Sequence, residues 1–119
     1  MAKRIIVLED DEGIRDVMHL ILSMEDYDTT SYDSVNAFKN RESIQPDLFI
    51  LDVMLPDGNG IDVCRDLKGL NHVTPILMMS ANASRKDIEQ GCAADGFIEK
   101  PFGINQVLDK VRSLIEGIN

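Results

Sequence analysis

No stretch of the 119-residue chain approaches the roughly 20 consecutive apolar residues that a helical membrane span requires. The start, Lys3-Arg4 followed by Ile5 to Leu8, has a basic-then-apolar look. Its apolar run meets Glu9-Asp10-Asp11-Glu12 at once and is too short for a signal peptide. Cysteine is scarce: Cys64 and Cys92 lie in separate helix-like segments without CxxC spacing and read as buried small hydrophobes. Positive charge is also short, 12 Lys and Arg against 21 acids for a formal net charge of −9, which argues against a nucleic-acid or anionic-membrane surface. Internal repeats, linkers and low-complexity tracts are missing, and no GxGxxG or P-loop follows the first apolar run. The chain reads as cytoplasmic.

What remains suits a single domain over residues 1–119, with 44% hydrophobic and 28% charged residues, ample for a real core. Lys3 to Leu8 reads as a buried strand. Ile14, Val17, Met18, Ile21 and Leu22 then recur at helical spacing. Thr29 to Tyr32 is polar and β-branched, the composition of a weak edge strand. Ser34 is placed to cap a short helix that carries Ala37 and Phe38 inward. Pro46 closes that segment. Leu48 to Leu51 forms a second buried strand that stops on Asp52, ahead of the breaker-rich turn Pro56-Asp57-Gly58-Asn59-Gly60.

Ile61, Cys64 and Leu67 mark a third helix, with Gly69 near its end. Ile76 to Met79 is another apolar strand, ending on Ser80. Ser84 and Asp87 resemble a capping box for a short fourth helix reaching about Gln90. Gly96 to Glu99 is a brief last strand, and Ile104, Val107, Leu108, Val111, Leu114, Ile115 and Ile118 trace the last helix. Five strands alternating with five helices specify an α/β fold. The common arrangement for this count is a flavodoxin-like, doubly wound five-stranded parallel sheet of order 2-1-3-4-5, helices on both faces.

In such sheets ligands sit beyond the carboxyl ends of the strands, at the switch between strands one and three. There the chain carries Glu9 and Asp10 after the first strand, Asp52 after the third, Ser80 after the fourth and Lys100 after the fifth. Clustered carboxylates repel, so one takes a proton or a cation binds, and hard oxygen ligands around a small, partly hydrated cation describe Mg²⁺. Asp52 is then a candidate nucleophile for a phosphoryl group whose charge metal, Lys100 and Ser80 neutralise. Against this stand simpler readings. Acids at Glu9 to Glu12 also complement a helix dipole, the reading preferred for Asp11 and Glu12. Asp57 reads as a turn former, Phe97 equally as core, and His19 and His72 as incidental.

Taken together, VLEDD, LDVMLPDGNG, MMSA and FIEKPF resemble, in this order and over nearly the whole chain, the motifs of the receiver domain of two-component response regulators. The resemblance implies that Asp52 accepts a phosphoryl group from a phosphohistidine on a sensor histidine kinase or histidine phosphotransfer protein. It implies Mg²⁺ binding by Glu9, Asp10, Asp52 and the main-chain carbonyl of Met54. Ser80 and Lys100 would contact the phosphoryl group, with Ser80 and the aromatic Phe97 moving as a switch. The Lys100-Pro101 peptide would be cis, and Met54 and Asn82 resemble the family's rate-setting positions. The usual output surface is the fourth helix, fifth strand and last helix, acting on a partner or an output domain. Such a domain is a phospho-accepting signalling module rather than an enzyme. Two rivals share the strand-end geometry. A Mg²⁺-dependent haloacid dehalogenase-type phosphatase needs a second Asp two residues after the first, where Met54 stands. A flavin or nucleotide module would meet repelling acids after the first strand.

Overall fold

Ile5–Leu8, Leu48–Leu51 and Ile76–Met79 are continuous apolar runs, so the strands they form have no polar face for water and must be covered on both sides. The computed structural model, which describes residues 2–41, 45–70, 73–81, 87–88 and 91–117, puts them at the centre of one sheet. Its strands are β1 (Arg4–Leu8), β2 (Asp28–Tyr32), β3 (Leu48–Asp52), β4 (Ile76–Ser80) and β5 (Gly96–Glu99). Their order is β2-β1-β3-β4-β5 and every pair is parallel, the flavodoxin-like order expected. Every residue of β3 and β4 is buried, whereas the polar β2 lies at an edge.

Among the described residues, four helices cover the sheet: α1 (Glu12–Ser23), α2 (Val35–Lys39), α3 (Gly60–Leu70) and α4 (Ile104–Glu116). Alternation along the strands divides the core. Ile5, Val7, Leu48 and Ile50 pack with Met18, Ile21 and Leu22 of α1 and Val107 and Val111 of α4. Ile6, Leu8, Phe49 and Leu51 point the other way, to Phe38 of α2, Val63 and Cys64 of α3, and Ile88. Asp87, Ile88 and Gly91 have helical backbone where a short fourth helix was expected. Ser84, Asn82 and the end at Gln90 lie outside the described residues, as do His72 and Ile118.

Helix stripes differ from the expected ones at their flanks. Val17 is 46% exposed because it faces a trough between α1 and the β5–α4 connection rather than the sheet. Ile104 is 49% exposed, being the first residue of α4. In α3 the fully buried positions are Gly60, Val63 and Cys64, with Ile61 and Leu67 only half-buried; in α2 they are Val35 and Phe38 rather than Ala37. Cys92 is half-buried, not fully so. His19 ties α1 to the edge strand, its Nε2 lying 2.9 Å from Ser31 Oγ.

Of the two caps predicted, Ser34 lies within the described residues and Ser84 does not. Ser34 Oγ accepts the Ala37 amide at 3.1 Å, as expected, while Asp11 proves to be the N-cap of α1, accepting the Ile14 amide at 3.0 Å. Beyond β3 the chain makes a small antiparallel ribbon, Met54–Leu55 against Gly58–Asn59. Its turn residue Asp57 does more than turn. Its carboxylate accepts the Asn36 amide at 2.9 Å and the Val35 amide at 2.8 Å, and these backbone bonds hold its pKa below the ordinary value. Gly60 then opens α3 against β3. A Cβ there would lie 1.9 Å from the Asp52 carbonyl oxygen, so only glycine allows the close approach.

Two substitutions test this architecture in urea unfolding. Ile50→Ala, in the fully buried centre of β3, is expected to cost about 3 kcal/mol through lost transfer energy and a cavity. Gly60→Ala is expected to cost about 2 kcal/mol by forcing α3 off the Asp52 carbonyl. A loss below about 0.5 kcal/mol in the second would show that the approach is not tight.

Candidate functional site

The strands end where their apolar runs end, so the first polar residue after each is delivered to the same rim of the sheet. Glu9 and Asp10 follow β1, Asp52 closes β3, Ser80 closes β4 and Lys100 follows β5. All five residues named from the sequence therefore lie on one rim. Glu9, Asp10 and Asp52 each present an oxygen within 4.8 Å of the others. Lys100 Nζ lies 2.5 Å from Glu9 Oε1 and 3.2 Å from Asp52 Oδ2. Ser80 is buried in register with Glu99, and its carbonyl accepts the Lys100 amide at 3.0 Å, fixing the backbone from which the lysine springs. The Lys100-Pro101 peptide is cis.

Burial sets the electrostatics. Glu9 is completely buried and Asp52 nearly so, whereas Asp10 faces solvent. Desolvation pushes the Glu9 carboxyl above its ordinary pKa; the Lys100 hydrogen bond opposes this and the neighbouring Asp52 adds to it. Asp10 is raised as well, by desolvation first and then by Glu9. For Lys100 burial works toward a lower pKa, but hydrogen bonding to Glu9 and the charges of Asp52 and Glu9 outweigh it, and the ammonium is held more firmly. Among the described residues, Lys100 pairs with two of the three close carboxylates, and negative charge is left over. An oxygen-only donor set with excess negative charge fits a hard divalent cation and not a soft one.

Two sets of supporting contacts go beyond those expected from the sequence. Arg15 Nη1 donates to the Glu9 and Asp10 carbonyls, both at 2.9 Å, and so holds the acidic loop from the first turn of α1. Asp57 and Gly60, at the turn and the end of the ribbon, fix the loop after Asp52. A spacing of five or six from acid to arginine is too common to be read as a contact in advance.

Met54 sits two residues past Asp52 with its backbone set by pairing to Asn59 and its side chain 63% exposed. Phe97 is half-buried against the α3-side core. Beside Lys100 an apolar trough of about 650 Å³ is lined by Ile14, Val17, Pro101 and Phe102.

The chain matches the family model described as the response regulator receiver domain over residues 5–112. It is 35% identical over 118 residues to the response regulator MprA of Mycobacterium tuberculosis, covering 97% of this chain and 51% of that protein. It is 37% identical over 116 residues to the DNA-binding response regulator MtrA of Mycolicibacterium paratuberculosis, covering 95% and 51%. The chain thus spans about half the length of these relatives. Among solved structures, it is similar to the non-phosphorylated HemR receiver domain of Leptospira biflexa, with TM-score 0.86, 29% identity and coverage of 95% and 94%. The same fold appears in a CheY-like receiver domain protein of Methanospirillum hungatei, with TM-score 0.90, 24% identity and coverage of 98% and 96%. Nothing in these matches favours a haloacid dehalogenase-type phosphatase. With strand order, rim chemistry and relatives all in agreement, the chain belongs to the response regulator receiver family, the signalling domains of two-component systems.

Proposed function

We propose that this chain is a single receiver unit in which Asp52 accepts a phosphoryl group from a phosphohistidine on a sensor histidine kinase or histidine phosphotransfer protein. The observation that carries the reading is the approach of Lys100 Nζ to within 3.2 Å of a nearly buried Asp52 carboxylate, inside a cluster of three acids. Glu9, Asp10, Asp52 and the main-chain carbonyl of Met54 would hold Mg²⁺, which supplies charge neutralisation for the incoming phosphoryl oxygens. The chain's own groups do the rest. An Asp52 oxygen forms the bond to phosphorus as the donor's phosphorus–nitrogen bond breaks. The Lys100 ammonium, freed from part of its pairing with Glu9, holds one phosphoryl oxygen, and the Ser80 hydroxyl holds another. Ser80 and Phe97 are the proposed switch, on the neighbouring strands β4 and β5, where Ser80 pairs with Glu99 and Phe97 with Met78. The trough beside Lys100, continued by exposed Val17 and Leu20 on α1, offers the donor an apolar contact.

Relatives about twice as long support an output domain or partner protein acting after the switch. MtrA is itself described as DNA-binding. We assign no nucleic-acid or membrane contact to this acidic chain. Among the described residues, no helix is long and apolar enough to cross a membrane. The proposed work is cytoplasmic, where the donor kinase would present its phosphohistidine.

Acetyl phosphate with Mg²⁺ is expected to add one phosphate to the wild-type chain and none to Asp52→Asn, read by intact mass; full labelling of that variant would remove the proposal. In the unphosphorylated protein, millimolar Mg²⁺ is expected to raise the melting temperature by relieving acid repulsion. Asp10→Asn should lose most of that shift. An equal shift in wild type and variant would mean the cation binds elsewhere.

A further inference from the structure

The two cysteines, distant in sequence and unused by the phosphoryl chemistry, meet at one seam. Cys64 is completely buried on α3, and Cys92, half-buried just ahead of β5, packs against the same apolar cluster. The seam is fixed on both sides of them. On one side, a Cβ added to Gly91 would lie 2.2 Å from Ile61 Cγ2, so backbone and α3 are already in contact. On the other, Lys68 Nζ pairs with Asp95 Oδ2 at 2.7 Å. Asp95 is itself anchored to β4, its carboxylate accepting the Ile76 amide and its amide donating to the Ile76 carbonyl, both at 2.8 Å. Ile61, Cys64 and Lys68 share one face of α3 through helical spacings of three and four, so the three contacts form consecutive rungs. Cysteines bracketed between two anchored rungs are placed to face each other across the seam, as a disulfide requires.

We propose that Cys64 and Cys92 form a peroxide-sensitive dithiol whose disulfide clamps α3 to the segment entering β5. Cys92 is the entry point because it alone of the two reaches solvent. Burial, and then the Cys92 contact, push the Cys64 thiol far above its ordinary pKa, making it a poor first nucleophile. The Cys92 sulfur attacks one oxygen of hydrogen peroxide, the O–O bond breaks, and a sulfenic acid and water result. The Cys64 sulfur then attacks the Cys92 sulfur, expelling the hydroxyl as a second water while its own proton leaves. Two thiols lose two electrons and the peroxide gains them.

The proposal is independent of the reading of Asp52, since thiol state is measured without phosphate or metal. The reduced full chain is treated with hydrogen peroxide, quenched, alkylated and digested without reductant. The expected intact mass is lower by two hydrogens, with one linked peptide pair carrying Cys64 and Cys92 that dithiothreitol separates. The oxidised chain is expected to melt about 5 °C or more above the reduced one, because the cross-link restrains the unfolded chain. Cys92→Ala, which spares the buried Cys64 position, is expected to lose no hydrogens and form no linkage. Overoxidation of Cys92 with Cys64 still a thiol, a Cys92-linked dimer, or a linked monomer with a lowered melting temperature would each overturn the proposal.

Discussion

A carboxylate that ends a fully buried strand has to be compensated from elsewhere in the fold, and here one lysine serves two of them. Lys100 reaches Glu9 across 91 positions of sequence and Asp52 across the middle of the sheet. Leaving either carboxylate charged and unpaired in that place carries a desolvation cost of several kcal/mol. The pairing exists only when β1, β3 and β5 are aligned, so the site is complete only when the sheet is. Its balance is also incomplete, because one ammonium cannot neutralise three acids. The surplus negative charge leaves the rim receptive to a hard cation.

Much of this was legible in the sequence, and for one reason: chemistry sits at strand ends here. Runs such as Leu48 to Leu51 announce themselves by having no polar face, and topology alone carries the residue after each run to the rim. Glu9, Asp10, Asp52, Ser80 and Lys100 could therefore be brought together without any knowledge of side-chain directions. The features that resisted reading depend on packing between elements. Helical periodicity names a stripe but not its flanks, so Val17 read as core and instead faces a trough. Asp57 read as a turn residue because its partners, the amides of Val35 and Asn36, lie in another element. The hold of Arg15 on the acidic loop and the packing of Cys92 on the core that contains Cys64 are likewise tertiary facts. No local spacing encodes them.

The two faces of the sheet are supported differently. On the α1 and α4 side, aliphatic packing is reinforced by the surface ion pair of Arg112 with Glu25. On the α2 and α3 side, short elements are held by aromatic and polar contacts. Phe38 meets Tyr32 and Phe49 edge-on, with ring centroids 6.1 and 5.9 Å apart, while the Arg41 guanidinium lies 4.0 Å from the Phe38 centroid.

Asp57 makes that difference mechanical. By gripping the first two amides of α2 it joins the loop downstream of Asp52 to a helix that the chain order sets well upstream. The loop and α2 then form one rigid crank, with Phe38 seated as its pivot between Tyr32 and Phe49. A displacement at Met54 or Leu55 would thus meet α2 and the edge strand first, on the side of the sheet farthest from β5.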